Sequence, residues 1–330
     1  MPQVFHNFAS MKYLSFAILL LLLCQTMPAQ RLRVATWNIE NMFDTCHDYG
    51  KQDFEFLPSA PRRWTSGRYW RKLRGISQTL AAMELPAIVA LQEVENDTVL
   101  RDLTRRTALW SAHYSYVMTD SQDERGVDVG ILYRPEQFRL CSYRGVRVPS
   151  TMYGLRPTRD LLYAAGILPS GDTLHVIAVH FPSRRNNDAA SRQNRELAVR
   201  TMLELVDSVS RTQINPNIIV LGDFNAEPGD GIFKMTGSRL VSIVEQDKNK
   251  LRGQTGTYYF RRIWSYLDHI LVSPGMKNMV QGKAHECRFP FLLRTDRQIP
   301  YRTYGGEHYM GGLSDHLPLL ADFLFAAPPK

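Results

Sequence analysis

Six short polar segments carry residue types able to bind a metal ion or an oxyanion, and each ends, follows or precedes an apolar run. The densest is Leu221-Gly222-Asp223-Phe224-Asn225, which follows Asn217-Ile218-Ile219-Val220. That run has the continuous apolar character of a strand buried on both faces. At a strand period of two, Asp223 and Asn225 point to the same side. A carboxylate beside a carboxamide is a poor core pair but a good hard-oxygen grip on a divalent metal and a phosphate. The plainer alternative is a pair of side chains capping a turn. Glu93 stands just beyond Ala87-Ile88-Val89-Ala90-Leu91, where a carboxylate is costly unless paired or metal-bound. Asn38 ends the alternating segment Arg31–Trp37, as a ligand, a phosphate contact or a turn cap. His180 ends another apolar segment and leads into Pro182, Ser183, Arg184 and Arg185. Taken alone it reads as a structural imidazole, but the two guanidinium groups suit bidentate phosphate contacts. Asp268 is set among apolar residues in Tyr266–Val272, and Ser314-Asp315-His316 precedes the last apolar run.

These groups need a scaffold that brings strand ends together. Strands are expected over 31–37, 87–91, 114–119, 128–134, 161–168, 173–181, 217–220, 266–272 and 319–325. The pair 161–168 and 173–181 forms a hairpin around Pro169-Ser170-Gly171-Asp172. Trp70, Leu73, Ile76, Leu80 and Met83 recur at helical spacing over 70–85, before Pro86. Asn96 or Asp97 caps a short helix, and a longer helix covers 188–210. Arg62, Arg63, Arg68, Arg71, Lys72 and Arg74 read as a solvated face of the 70–85 region rather than a nucleic-acid surface. Long loops are expected at 44–66 and 285–312. Acid and amide groups mounted on strand ends are how a site is built on a rigid sheet.

The chain has 330 residues and a formal net charge of +8, with no linker-like composition shift and no repeat. One domain over residues 31–330 is expected. The basic excess suits an anionic substrate. Met11-Lys12, the apolar run Tyr13–Leu23 and Pro28-Ala29 have the layout of a signal peptide over residues 1–30, with Met11 as the start and cleavage near Ala29/Gln30. The run is too short for a transmembrane helix. Cys24 invites a lipoprotein alternative, which the leucine before it opposes. Cys46, Cys141 and Cys287 remain after cleavage, and an odd count leaves any pairing open.

Together, Trp-Asn-Ile-Glu-Asn (37–41), Leu-Gln-Glu-Val-Glu (91–95), Val-His-Phe-Pro-Ser-Arg (179–184), Gly-Asp-Phe-Asn (222–225), Leu-Asp-His-Ile-Leu (267–271) and Ser-Asp-His-Leu-Pro (314–318) resemble the endonuclease/exonuclease/phosphatase superfamily, which includes deoxyribonuclease I. The His-x-Pro-Ser-Arg segment is most similar to that of secreted bacterial members. The resemblance implies an α/β, four-layer sandwich: two packed mixed sheets flanked by helices. It implies Glu93 as main ligand of Mg²⁺ or Mn²⁺, helped by Asn38 and Asp315. Asp223 would orient or deprotonate the attacking water, and Asn225 and His180 would hold phosphoryl oxygens. His316, kept in its tautomer and charge state by Asp268, would serve as acid/base or stabilise charge growing on phosphorus. The implied activity is a secreted metal-dependent phosphodiesterase, foremost a nuclease. A phosphomonoesterase or a lipid or inositol phosphoesterase is the alternative on the same site, and a non-catalytic phosphate-binding protein is the alternative outside enzymes. The expected partner is a phosphoester, with nucleic acid favoured, and no obligate protein partner is evident; a monomer is expected. The surrounding loops offer Arg184, Arg185, Arg302 and Tyr304 for substrate contact.

The leader makes one testable statement. Mass spectrometry of the exported protein should find a mature N-terminus close to Gln30. An intact Met1 or Met11 would refute cleavage, and a diacylated Cys24 would establish lipid anchoring instead.

Overall fold

The apolar runs become the inner strands of two six-stranded sheets. The computed structural model describes residues 30–184, 189–244 and 255–325; the expected leader, Cys24 and Arg185 lie outside them. In chain order the first eight strands are β1 (Gln30–Met42), β2 (Ile88–Val94), β3 (Ser115–Met118), β4 (Asp128–Tyr133), β5 (Arg139–Val146), β6 (Leu161–Ile167), β7 (Thr173–His180) and β8 (Asn217–Asp223). The rest are β9 (Val241–Ser242), β10 (Tyr258–Phe260), β11 (Ile263–Ser265), β12 (Asp268–Val272), β13 (Val280–Glu286), β14 (Tyr304–Gly305), β15 (His308–Tyr309) and β16 (Leu319–Phe325). The first sheet has the order β13-β16-β1-β2-β4-β3 and the second β5-β6-β7-β8-β12-β9. Helices α1 (Ser66–Ala82), α2 (Asp97–Arg105), α3 (Ala189–Thr212) and α4 (Gly231–Met235) complete the described regular structure, with short 3₁₀ turns.

The period-two pattern sorts the side chains into layers. Val34, Ile88, Ala90 and Ile131 of the first sheet meet Val176, Ala178, Ile219 and Leu221 of the second in a shared inner core. On the outer face of the first sheet, Trp37 and Ile39 pack with Leu73, Ile76 and Leu80 of α1 and Leu100 and Leu103 of α2. Ile177, Val179, Ile218 and Val220 of the second sheet pack with Val199, Met202 and Val206 of α3. The architecture is therefore helix, sheet, sheet, helix, as the resemblance implied. Each fully buried large aliphatic side chain contributes roughly 1.5–3 kcal/mol.

Strand direction gathers the polar segments. Each sheet has a single parallel pair at its centre, β1 with β2 and β7 with β8. Parallel neighbours end at the same edge, so Asn38 lies opposite Gln92, and His180 opposite Asp223. The antiparallel β12 begins where β8 ends, which sets Asp268 opposite Asp223. The antiparallel β16 pairs Leu319 with Thr36, so the Ser314–His316 segment before it reaches the same edge.

Several expectations change. The 70–85 helix begins earlier, at Ser66, and Lys72 is not solvated: it is 2% exposed. Strands β5 and β13, along the sheet margins, and the hairpin β10–β11 have no counterpart in the sequence reading. The 285–312 loop contains the small hairpin β14–β15. Cys46, Cys141 and Cys287 are all free thiols. No helix among the described residues is long and apolar enough to cross a membrane.

Gly222 illustrates how tightly the central strands approach. It has φ +149°, and a Cβ there would fall 1.9 Å from the Val179 carbonyl oxygen on β7. The obstacle is backbone, which no rotamer can relieve. Gly222→Ala should therefore destabilise the protein by roughly 3 kcal/mol or more, measured by urea unfolding. A change of a few tenths would mean that β7 and β8 can separate at no cost.

Candidate active site

Asp223 is the hub of the strand-end cluster. It is 1% exposed. Its Oδ1 accepts the backbone N–H of Asn225 at 2.8 Å, and its Oδ2 accepts Asn38 Nδ2 from the other sheet at 3.1 Å. His180 Nε2 lies 3.6 Å and His316 Nε2 3.9 Å from the same Oδ2. Burial raises its carboxyl to about 7; the nearby His316 opposes the shift and Asp268 adds to it.

The two imidazoles are held in different charge states. His180 is buried with no carboxylate in hydrogen-bond contact, and burial, with Arg159 and Arg125 behind it, pushes its pKa well below the usual value. It is a neutral ring. His316 is also buried, which opposes charge, but its Nδ1 hydrogen-bonds Asp268 Oδ2 at 2.8 Å, and Asp268 and Asp223 together raise it to about 10. Its backbone N–H donates to Ser314 Oγ, whose hydroxyl donates to the Asn38 carbonyl.

Glu93 lies at a bulge in β2, with φ +63°. Its Oε2 accepts the backbone N–H of Asn41 at 2.8 Å, and its Oε1 is 3.9 Å from His180 Nε2. Among the described residues no lysine or arginine forms an ion pair with it. Glu40, Asn41 and Asn225 also have positive φ, a concentration of backbone strain typical of functional sites.

Glu93, Asn38 Oδ1, which also accepts the Glu40 N–H at 3.0 Å, and Asp315, which pairs with Arg302, offer hard oxygens, and Glu93 lacks a cationic partner among the described residues. That donor chemistry fits a divalent ion. Among the described residues the His, Cys, Asp and Glu side chains whose ligand atoms come mutually within 4.8 Å in a group of three are different ones, Asp223, Asp268 and His316. In that trio the imidazole already shares its Nδ1 with Asp268 and carries a proton. We read it as a proton-handling group rather than a metal site.

Other candidates land differently. Asp315 is 3.2 Å from Arg302 Nη2, so this arginine is engaged at the site. Arg184 donates from Nε to the Asn225 carbonyl at 2.8 Å and is placed against that loop. Asn225 does not extend the period-two strand: β8 ends at Asp223, the chain turns, and Asn225 Nδ2 donates to the Phe181 carbonyl at 3.0 Å. The turn-cap reading of this segment therefore holds alongside the site. Tyr304 is a correction. It is 5% exposed, packs against Phe56, Trp64 and Tyr309, and donates its hydroxyl to the Arg62 carbonyl. Its ring is core and has no free face for a base. Its neighbour Trp64 is also fully buried, with its indole N–H donating to the Phe43 carbonyl.

Three residues belong here that the sequence reading gave no role. Glu40 accepts the backbone N–H groups of Thr303 and Tyr304, and burial, aided by Asp315, raises it to about 7. It stands two positions from Asn38, so strand period could have found it. Lys72 donates to the Glu40 carbonyl and to Thr303 Oγ1, and burial lowers it to about 8. It sits three after Tyr69 and four before Ile76, on the buried face of α1. Tyr258, at the start of β10, bridges to His316 in an isolated antiparallel pair, with ring centroids 4.7 Å apart. No signal in its neighbourhood marked it.

The His316 charge has a consequence for stability. Its folded pKa of about 10 exceeds the ordinary 6.5, so its contribution is complete below 6.5 and is lost as pH rises through about 10. The difference in urea midpoint between the protein and its His316→Gln variant should shrink across that interval. A constant difference would show that the ring is neutral throughout.

The family described as "Endonuclease/Exonuclease/phosphatase family" matches residues 33–324. No curated protein matches the chain significantly. Among solved structures, the human Nocturnin catalytic domain with bound sulfate anion is similar at 20% identity, over 89% of this chain and 94% of that one, with TM-score 0.58. D. rerio TDP2 complexed with single strand DNA product is similar at 16% identity, over 89% and 99%, with TM-score 0.57. A Bacteroides thetaiotaomicron mannosyl-6-phosphatase is similar at 16% identity, over 88% and 98%, with TM-score 0.55. Likeness at these identities establishes a common fold, and the family match extends over nearly all of the described chain: the protein belongs to the endonuclease/exonuclease/phosphatase family, hydrolases of phosphoester bonds.

Proposed function

We propose that the chain is an exported, divalent-metal-dependent phosphodiesterase that acts on nucleic acid. The observation that carries the chemistry is the convergence of Asn38, Glu93, His180, Asp223, Asp268 and His316, from both sheets, on one edge. Glu93, with Asn38 and Asp315, would hold Mg²⁺ or Mn²⁺, which when bound neutralises phosphoryl oxygens and polarises the phosphorus centre. Asp223, with a carboxyl near 7, suits a base that orients and deprotonates water near neutral pH. The neutral His180 ring and the amide of Asn225 would receive phosphoryl oxygens. The charged His316, held by Asp268, stabilises negative charge as it grows on phosphorus and can give its proton to a departing oxygen. An in-line displacement needs an activated water, neutralised oxygens and a stabilised leaving group.

A polyanionic substrate is favoured by the hairpin β10–β11. Its root pairs with His316 through Tyr258, while Phe260 and Ile263 at its tip are 48% and 57% exposed beside the exposed Arg261 and Arg262. Flat rings and guanidinium groups next to a phosphoester site suit a strand of nucleotides. The TDP2 structure with a DNA product is consistent with this reading. The burial of Tyr304 and Trp64 favours a second one, a phosphatase for a small sugar or inositol phosphate, as the mannosyl-6-phosphatase likeness illustrates.

Chelation should abolish hydrolysis, and Glu93→Gln should lower kcat by at least ~10²-fold while thermal unfolding shows a folded protein. Full activity in excess chelator would end the metal reading. For substrate, single-stranded DNA binding should weaken with salt by ~0.7 log units per log unit for each phosphate neutralised, and Arg261→Ala with Arg262→Ala should reduce that slope. A flat salt dependence, with hydrolysis of a sugar phosphate, would establish the second reading.

A further inference from the structure

The short segment Gly256-Thr257-Tyr258, which leads into β10, lies between the backbone that carries His316 and the backbone that carries Asp268. Thr257 is fully buried. Its carbonyl accepts the backbone N–H of Leu317 at 2.7 Å, and its Oγ1 accepts the backbone N–H groups of Leu267 and Asp268, each at 3.3 Å. Its own N–H donates to the Ser265 carbonyl across the hairpin at 3.0 Å. Gly256 is seated directly on β11: a Cβ there would fall 2.3 Å from the Ser265 carbonyl oxygen. The segment is therefore fixed on both sides, and Tyr258 is delivered from it to the site. Tyr258 forms an isolated antiparallel bridge with His316, and the two rings lie 4.7 Å apart at 41°, inside the range of a favourable aromatic contact. At the far end of the same side chain, the hydroxyl interacts with the Arg302 guanidinium, which pairs with Asp315 at 3.2 Å. Asp315 and His316 precede β16 and have no sheet ladder of their own. One tyrosine reaches both of them, the imidazole through its ring and the carboxylate through Arg302.

We propose that Tyr258 is a positioning residue of the hydrolytic site: its ring fixes the plane of the His316 imidazole, and its hydroxyl sets Arg302 against Asp315. The proposal rests on the phosphoesterase reading given above. Its physical basis is a degree of freedom that the Asp268 contact leaves open. The His316 side chain makes one hydrogen bond among the described residues, from Nδ1 to Asp268. The last torsion of a histidine is broad, and a single bond at one edge lets the ring swing about that bond. A ring packed on the imidazole face removes the swing and keeps Nε2 aimed at one place. Transfer of a proton to a departing oxygen depends on that aim, and a displacement of about 1 Å can cost ~10²-fold in rate. The two ends of Tyr258 thus have separable effects. Loss of the ring acts on turnover through His316, and loss of the hydroxyl acts on substrate affinity through Arg302.

The test is steady-state hydrolysis of a chromogenic phosphodiester by the full chain with Mg²⁺, each variant being shown to be folded by its urea midpoint. Tyr258→Leu should lower kcat by about tenfold or more. Tyr258→Phe, which keeps the ring, should recover most of that kcat and leave KM raised a few-fold. In a His316→Gln background, Tyr258→Leu should cost less than about twofold further, because the ring then has no imidazole to hold. A readout free of turnover is the NMR signal of the His316 ring protons, identified by their absence from His316→Gln. These should move in Tyr258→Leu, where the ring current is gone, and stay in place in Tyr258→Phe. Equal kcat losses in the Phe and Leu variants, additive losses in the His316→Gln background, or ring protons unmoved in Tyr258→Leu would each overturn the proposal. Should His316→Gln be inactive while Tyr258→Leu turns over like the parent, the positioning role alone fails. Full turnover in His316→Gln would instead remove the role of this imidazole in the phosphoesterase reading, and the proposal with it.

Discussion

The hydrogen bond from Asn38 to Asp223 is the contact on which the arrangement depends. It joins the central strand of one sheet to the central strand of the other at 3.1 Å. With the 2.8 Å bond from His316 to Asp268, it joins two half-sites: Asn38, Glu93 and His316 with the first sheet, His180, Asp223 and Asp268 with the second. The apolar interface beneath, from Val34 and Ile88 to Val176 and Ile219, sets the spacing at which this bond is made. Packing is dense enough that a shift of one sheet would be felt at the edge directly. Asn38, Glu93, His180, Asp223 and Asp268 are thus mounted on the central strands, while Asn225, Asp315, His316 and the outer contacts Arg184 and Arg302 come from the segments between strands.

At that edge two buried histidines differ in charge, His180 being neutral and His316 cationic. The difference lies in their neighbours. Asp268 meets His316 along a hydrogen bond, while the positive charges of Arg159 and Arg125 disfavour a proton on His180. A neutral ring beside a cationic one gives the site both a polar contact for oxygen and a proton donor, with no change in residue type. The buried Lys72 extends the same principle: its ammonium lies close to Glu40, Glu93 and Asp315 and moderates their mutual repulsion.

The central strands were legible because a strand buried on both faces must be continuously apolar, as Ile218–Leu221 and Ile88–Leu91 are. The strand-end polar residues were legible for the opposite reason, since Asp223 and Glu93 contradict the runs they end. The marginal strands were not. β5 is exposed at most of its positions, and β13 alternates weakly, so neither differs from loop sequence. Tyr304 misled because an aromatic in an Arg-rich loop has the same local signature whether it faces solvent or, as here, plugs a gap between Trp64 and Phe56. Lys72 misled because a lysine among arginines on an amphipathic helix is normally wet; only the partner segments, Glu40 and Thr303, distant in sequence, make its burial tolerable.

The pairing of β1 with β16 sets Gln30 opposite Phe325, so the first and last described strands are neighbours. Contacts of that sequence separation form late, because the loop they close is the longest available. His316 lies just before β16, and its side chain reaches Asp268 only when that strand has docked. A nascent chain lacking its final segment therefore has an open edge on β1 and no imidazolium at the site. If His316 acts as proposed, a chain whose last strand has not docked is inert toward phosphoesters.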